Sequence, residues 1–221
     1  DDLISECKNR LSSLLDCQSD EIEFIDGHFI ARLTNHQFNF SDVACRTVDS
    51  HGLLKVVREN EMHTPVYPNG TAICEVEIDP STGATTVTRY STVDDVGRCI
   101  NPLIVHGQTH GGIVQGAGQA LFEHCFVDHN SGQPVTGSLM DYGISRAADF
   151  PSFKTEIAEV LSPTNPLGIK AGGEGGTTPA LATIVNAVVD ALAEFGVEDI
   201  AMPLTPQRVW AAIQNSSSSN H

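Results

Sequence analysis

Glu174 stands alone in K-A-G-G-E-G-G-T-T-P, residues 170–179, with two glycines on either side and a helix-opening sequence after it. Four glycines strip away side-chain bulk, so a large rigid ligand can approach the carboxylate and backbone amides can turn toward it. The partial positive charge of a following helix N-terminus favours the ionised acid, whereas desolvation beneath a planar ligand opposes it. An acid held between those two influences is suited to moving a proton. The same residues also describe a capping or salt-bridging acid in a glycine-rich surface turn.

Other reactive residue types are spaced less informatively. His106 and His110 are four apart, as zinc ligands are in H-E-x-x-H, but G-Q-T lies between them and no glutamate is placed as base. Polar packing is the expected role. Asp94 and Asp95 open D-D-V-G-R-C-I-N-P; adjacent carboxylates on an extended chain point apart, so turn formation and anchoring of Arg98 are expected rather than a shared proton. The six cysteines are scattered without a C-x-x-C pair, which removes the spacing of zinc-ribbon, iron-sulfur and thioredoxin sites. They read as reduced thiols of a cytoplasmic protein, with Cys74 on the inward side of a strand. No metal-ligating set is expected from this chain.

Twenty-eight acidic side chains against 12 Lys and Arg give a formal charge of -16, which argues against nucleic acid or an anionic membrane as partner. No signal peptide and no apolar run of spanning length stands out.

The elements that must position Glu174 follow from periodicity. Leu3, Ile4, Cys7, Leu11, Leu14 and Leu15 predict a helix over 1–16, and E-I-E-F-I-D-G-H-F-I predicts a hairpin about Asp26-Gly27. A short helix is expected within 41–50, then loop over 53–70. Residues 71–93 form two alternating runs about P-S-T-G, an antiparallel hairpin. A helix over 103–124 is expected despite five glycines, each costing up to about 1 kcal/mol relative to alanine, so its backbone should lie close to a helix or a bound group. Asn101 and Pro102 would cap it. A hairpin about 129–132 and a strand over 152–160 follow. Thr178 is the expected N-cap, and Pro179 the first residue, of a helix ending before Gly196; a short helix after 203–210, anchored by Trp210, closes the chain. The fold class is α+β, antiparallel β-sheets packed with helices. Two intertwined portions are expected, 1–65 and 66–215, with a disordered tail over 216–221.

Read together, G-Q-T-H-G-G-I-V-Q-G-A-G-Q-A-L-F-E (107–123), G-S-L-M-D-Y (137–142), S-P-T-N-P-L-G-I-K-A-G-G-E-G-G-T (162–177) and P-L-T-P-Q-R-V-W (203–210) resemble the molybdopterin-binding large subunit of the xanthine dehydrogenase, aldehyde oxidase and aerobic carbon monoxide dehydrogenase family. D-E-I-E-F-I-D-G-H-F and V-E-I-D-P-S-T-G-A-T-T-V extend the similarity over nearly the whole chain, in order. Relatives often carry V-G-E or G-A-G-E where this chain has A-G-G-E-G-G, which keeps the glutamate in register and leaves the substrate-side shape open.

The resemblance implies that Glu174 is the catalytic general base, taking a proton from a metal-bound hydroxyl as it attacks an electron-poor carbon. Gly112, Gln115, Gly116, Gly118 and Gln119 match the family's cofactor-contacting Q-G-x-G stretch, with Gly172 and Gly173 beside the glutamate. The implied cofactor is molybdenum-molybdopterin, with the cytosine dinucleotide as one form, its metal held by the pterin and its site completed by segments outside this chain. None is expected in the isolated chain, which should be the C-terminal part of such a subunit, excised or naturally split. Implied partners are the remainder of the large subunit, iron-sulfur and FAD modules, and a small-molecule substrate: carbon monoxide, an aldehyde or an N-heterocycle. The S-P-T-N-P and P-L-T-P-Q-R-V-W wording leans toward carbon monoxide or aldehyde. The alternatives are a non-catalytic assembly module and a cofactor-binding module without turnover.

Overall fold

A computed structural model describes residues 1–219 apart from 33, 60, 62 and 63. The chain divides into two compact units, Asp1–Glu61 and Met62–His221.

In the first unit, α1 (Asp2–Leu15) and α2 (Phe40–His51) accompany a three-stranded antiparallel sheet of β1 (Ile22–Ile25), β2 (His28–Ala31) and β3 (Gln37–Phe38). Asp26 and Gly27 both take positive φ, 49° and 81°, the backbone of a tight two-residue hairpin turn. This register pairs Phe24 with Phe29 and Phe29 with Phe38. Buried Cys7, Leu11, Ile22, Phe29, Phe38 and Val43 form the core, and Phe24, Phe29 and Phe40 meet with ring centroids 4.7–5.4 Å apart. A reciprocal cap starts α2: Asn39 Oδ1 accepts from Asp42 N and Asp42 Oδ2 from Asn39 N, both at 2.9 Å.

The second unit is built on a long hairpin of β4 (Asn69–Ile78) and β5 (Thr85–Asp95). Its turn is held by the Asp79 carboxylate, which accepts from Ser81 N, Ser81 Oγ and Thr82 Oγ1 at 2.7–2.9 Å. The third strand, β6 (Lys154–Ile157), is shorter than the 152–160 expected and pairs with β5 in parallel. The sheet is therefore mixed: 58 residues separate β5 from β6, enough for the chain to cross over through a helix and return in the same direction. The hairpin expected at 129–132 reduces to a single bridge, Val127 to Pro134.

Asn101 Oδ1 accepts from Ile104 N at 3.3 Å and Pro102 opens α3 (Pro102–Leu121). The second long helix, α4 (Thr177–Leu192), begins earlier than expected, with Gly176 at the cap; Thr178 and Pro179 lie inside its first turn. Ala180, Ile184, Val188 and Leu192 recur every four residues, are fully buried, and join Ile113, Ala117, Ala120 and Leu121 of α3 with Val87 and Tyr90 of β5 in one core. The stretch 177–195 is long and apolar enough to cross a membrane by composition, but here that buried face closes the core. The final helix, α5 (Pro206–Ser219), is longer than the short helix expected: residues 216–219, expected in the tail, continue it, and 220–221 lie outside the described residues. Val209 and Ile213 are its packing residues, while Trp210 is 43% exposed rather than the anchor.

Candidate functional site

The Glu174 loop, 171–176, hangs between two fixed ends. At its far end the start of α4 is pressed onto α3. A Cβ added to Gly112 would stand 2.8 Å from Thr177 N, and one on Gly116 would stand 2.6 Å from Thr177 O and 2.8 Å from the Ala180 Cβ. Two glycines on successive turns let the helices approach to backbone distance, which answers why α3 tolerates them.

At its near end the loop is rooted on the terminus of β5. Lys170 N donates to Val96 O at 2.8 Å, Gly97 bridges to Ile169, and Arg98 N donates to Gly168 O at 2.9 Å. The two aspartates of D-D-V-G face different tasks. Asp94 is 6% exposed, near Thr92 Oγ1 (3.1 Å) and Thr109 Oγ1 (3.4 Å), and lines a cavity of about 300 Å³. Burial raises its acid above the ordinary range, against the opposing hydrogen bonds from the two threonines and the charge of His106. Asp95 accepts from Lys170 Nζ at 2.6 Å, with both side chains 11% exposed. Desolvation pushes Asp95 upward, but Lys170 and the Gly97 and Val160 amides outweigh it and hold the acid below the ordinary range. Arg98 is not its partner: the guanidinium Nε donates to Leu167 O at 3.0 Å.

The same cavity is lined by Tyr67, Asn69, Val96, Thr109 and Pro179 together with Gly172 and Glu174. Glu174 is exposed, and its carbonyl oxygen accepts from Thr178 N at 3.1 Å. Gly173 beside it has open space where a side chain would stand. The structure thus brings Glu174 and Gly172 together with Asp94 and Thr109. It places the Q-G-x-G residues differently. Gly112, Gly116 and Gly118 are buried, Gly118 leaving room for Glu123 and Ser145, while Gln115 and Gln119 are exposed on α3 outside that cavity's lining. Thr177 Oγ1 donates to Gln115 Oε1 at 3.5 Å.

Gly107, Gly111, Gln115 and Gln119, each four residues apart, all lie on exposed positions of α3, and the two glycines have nothing within 4 Å of an added Cβ. Gly107 and Gly111 were missed in the sequence; the four-residue spacing G-x-x-x-G-x-x-x-Q-x-x-x-Q is the signal that could have found them. The tasks of Asp94 and Asp95 were not legible, because Lys170 and Thr109 become their neighbours only when distant segments meet.

His106 Nδ1 and His110 Nε2 share Thr155 Oγ1 at 2.7 and 3.2 Å, which makes them packing groups between α3 and β6. Among the described residues no three His, Cys, Asp or Glu side chains gather as a metal site. Bare loop backbone at Gly173 and amide side chains beside uncovered glycines on α3 do fit a flat polar group.

The molybdopterin cofactor-binding domain family matches residues 1–151. The chain is 35% identical to the 6-hydroxypseudooxynicotine dehydrogenase complex subunit gamma of Paenarthrobacter nicotinovorans, over 96% of this chain and 28% of that one. It is 38% identical to the carbon monoxide dehydrogenase large chain of Hydrogenophaga pseudoflava, over 67% and 18% respectively. Among solved structures, quinoline 2-oxidoreductase of Pseudomonas putida 86 superposes with a TM-score of 0.80 at 36% identity, covering 95% of this chain and 28% of that one. The Cu,Mo-CO dehydrogenase superposes with a TM-score of 0.84 at 25% identity, covering 98% and 28%. The chain therefore spans under a third of these relatives. It belongs to the molybdopterin cofactor-binding domain family, in the large-subunit group of the xanthine dehydrogenases, aldehyde oxidases and carbon monoxide dehydrogenases.

Proposed function

We propose that this chain supplies the general base and one wall of the cofactor site to a molybdenum hydroxylase large subunit, with Glu174 as the base. The observation that carries the reading is the placement of an exposed carboxylate, on a glycine loop anchored at both ends, in the lining of a cavity. The bound molybdenum pterin would supply the two-electron acceptor for the substrate carbon. The Glu174 carboxylate would take the proton released as a water-derived oxygen adds to that carbon. Gln115 and Gln119 would hold the pterin or its phosphate arm through their amides, with Gly107 and Gly111 allowing close approach. Gly112, Gly116 and Gly118 then act by packing, which fixes the glutamines and the loop in place.

An N-heterocycle is the substrate class we favour over carbon monoxide or an aldehyde. The 6-hydroxypseudooxynicotine dehydrogenase subunit and quinoline 2-oxidoreductase match at 35–36% identity over at least 95% of this chain, whereas the 38% identity to a carbon monoxide dehydrogenase large chain spans 67% of it and the solved Cu,Mo-CO dehydrogenase, covering 98%, is 25% identical. The remaining part of the large subunit, with iron-sulfur and flavin modules as electron acceptors, completes this proposal.

Glu174→Gln in the assembled enzyme is the test. A base predicts a turnover loss of about 10²–10⁴-fold with molybdenum and pterin retained. Loss of the cofactor would favour a binding role, and unchanged turnover an assembly module.

A further inference from the structure

We propose that Asp95 is a positioning residue for Glu174, acting through Lys170. One carboxylate ties three segments: Oδ2 accepts from Lys170 Nζ at 2.6 Å, and Oδ1 accepts from Gly97 N at 2.8 Å and Val160 N at 3.0 Å. These are the end of β5, the chain leaving β6, and the root of the glutamate loop. From that root, residues 171–176 comprise Ala171, Glu174 and four glycines. Glycine has the most backbone freedom to lose on ordering, so the loop's own residues do little to hold one conformation. Its ends must do so.

The α4 end is seated against Gly112 and Gly116. The other end has the Asp95–Lys170 pair, the Lys170 N to Val96 O bond, and the Val96 side chain, whose Cγ1 would lie 3.1 Å from a Cβ on Gly172. Lys170 is four residues from Glu174, so freeing it lengthens the span over which the carboxylate can wander. A misplacement of about 1 Å can cost ~10²-fold in rate. The catalytic half of this inference rests on Glu174 being the base; the tether itself does not.

The variants are Asp95→Asn, Lys170→Met and the two together. Each single change leaves a largely buried charge without its counter-ion and lowers Tm, whereas the double variant removes both charges and recovers most of that loss. A tether predicts that hydrogen exchange of amides 171–176 in the full chain rises at least about tenfold in all three, the double variant included. In the assembled enzyme the double variant should lose about 10- to 100-fold in kcat, with KM and cofactor content held. Exchange that returns to the parent rate as Tm recovers, or that never changes in Lys170→Met, overturns the tether. Raised exchange with parental kcat, where Glu174→Gln is inactive, overturns the positioning role. Unchanged turnover in Glu174→Gln sinks the base reading instead, while the exchange result still decides the tether.

Discussion

Asp94 and Asp95 are neighbours at the end of β5, yet one lines the Glu174 cavity and the other lies 2.6 Å from the Lys170 ammonium. The alternation of an extended chain sends successive side chains to opposite faces, so one dipeptide serves the cavity and the root of the loop beside it. Their acids are displaced in opposite directions, and each displacement has a consequence for stability.

Asp95 is held below its ordinary value of 3.8. A depressed acid contributes stability that is present above the unfolded value and is lost as pH falls through the folded one. Asp95→Asn should therefore unfold at a lower temperature than the parent at pH 6 to 7, and the two should converge as pH drops below about 3.8. Calorimetry across pH 7 to 2.5 checks this. A gap that stays constant over that range means the ion pair contributes nothing through its charge.

Asp94 has the opposite sign. An acid raised above 3.8 contributes stability that is fully present below the unfolded value and is lost as pH rises through the folded one. At neutral pH its ionised form is a burden. Asp94→Asn keeps the shape and a partner for Thr92 and Thr109, and should raise Tm at pH 7. The gain should fade toward pH 4. A drop in Tm at pH 7 would mean the charge is used within the fold.

Two glycines of α3 should respond to alanine with opposite signs. Alanine favours a helix by about 1 kcal/mol over glycine. At Gly111 the added methyl meets nothing within 4 Å, so Gly111→Ala should stabilise the chain by about 0.5–1 kcal/mol. At Gly116 the methyl would stand 2.6 Å from the Thr177 carbonyl, and overpacking of about 1–3 kcal/mol outweighs the helix gain. Urea midpoints of the two variants settle the matter; equal stabilisation would remove the close helix seam. In the assembled enzyme Gly111→Ala should still lower cofactor content, because the uncovered backbone is lost where the pterin is proposed to lie.

What could be read from the sequence divides along physical lines. Local patterns gave the two hairpins at 22–31 and 69–95, α1, the Asn101-Pro102 cap and the apolar face of α4, because each is specified by residues within a few positions of one another. Glu174 stood out because four glycines around an acid are a local signal. The parallel return of β6, the Asp95–Lys170 pair and the burial of Gly112 against Thr177 depend on segments 60 to 75 residues apart, and no local pattern carries them. The α4 start was misplaced for a related reason: Gly176 begins the helix because it fits against α3, which overrides the better capping chemistry of Thr178.

The cysteines offer a check on the core that needs no cofactor. Cys74 packs against the second unit's core, and burial pushes its thiol up to about 11, with the charge of Glu75 adding to the effect. At pH 8 about one such thiol in a thousand is ionised, and the thiolate is the reactive form. Cys7 is fully buried in the first unit, whereas Cys45 and Cys125 are exposed. Alkylation of the native chain followed by peptide mass spectrometry should therefore label Cys45 and Cys125 first, with Cys7 and Cys74 modified only after denaturant is added. Prompt native labelling of Cys74 would mean that the inner face of β4 opens to solvent, and the packing of α4 across that sheet would have to be redrawn.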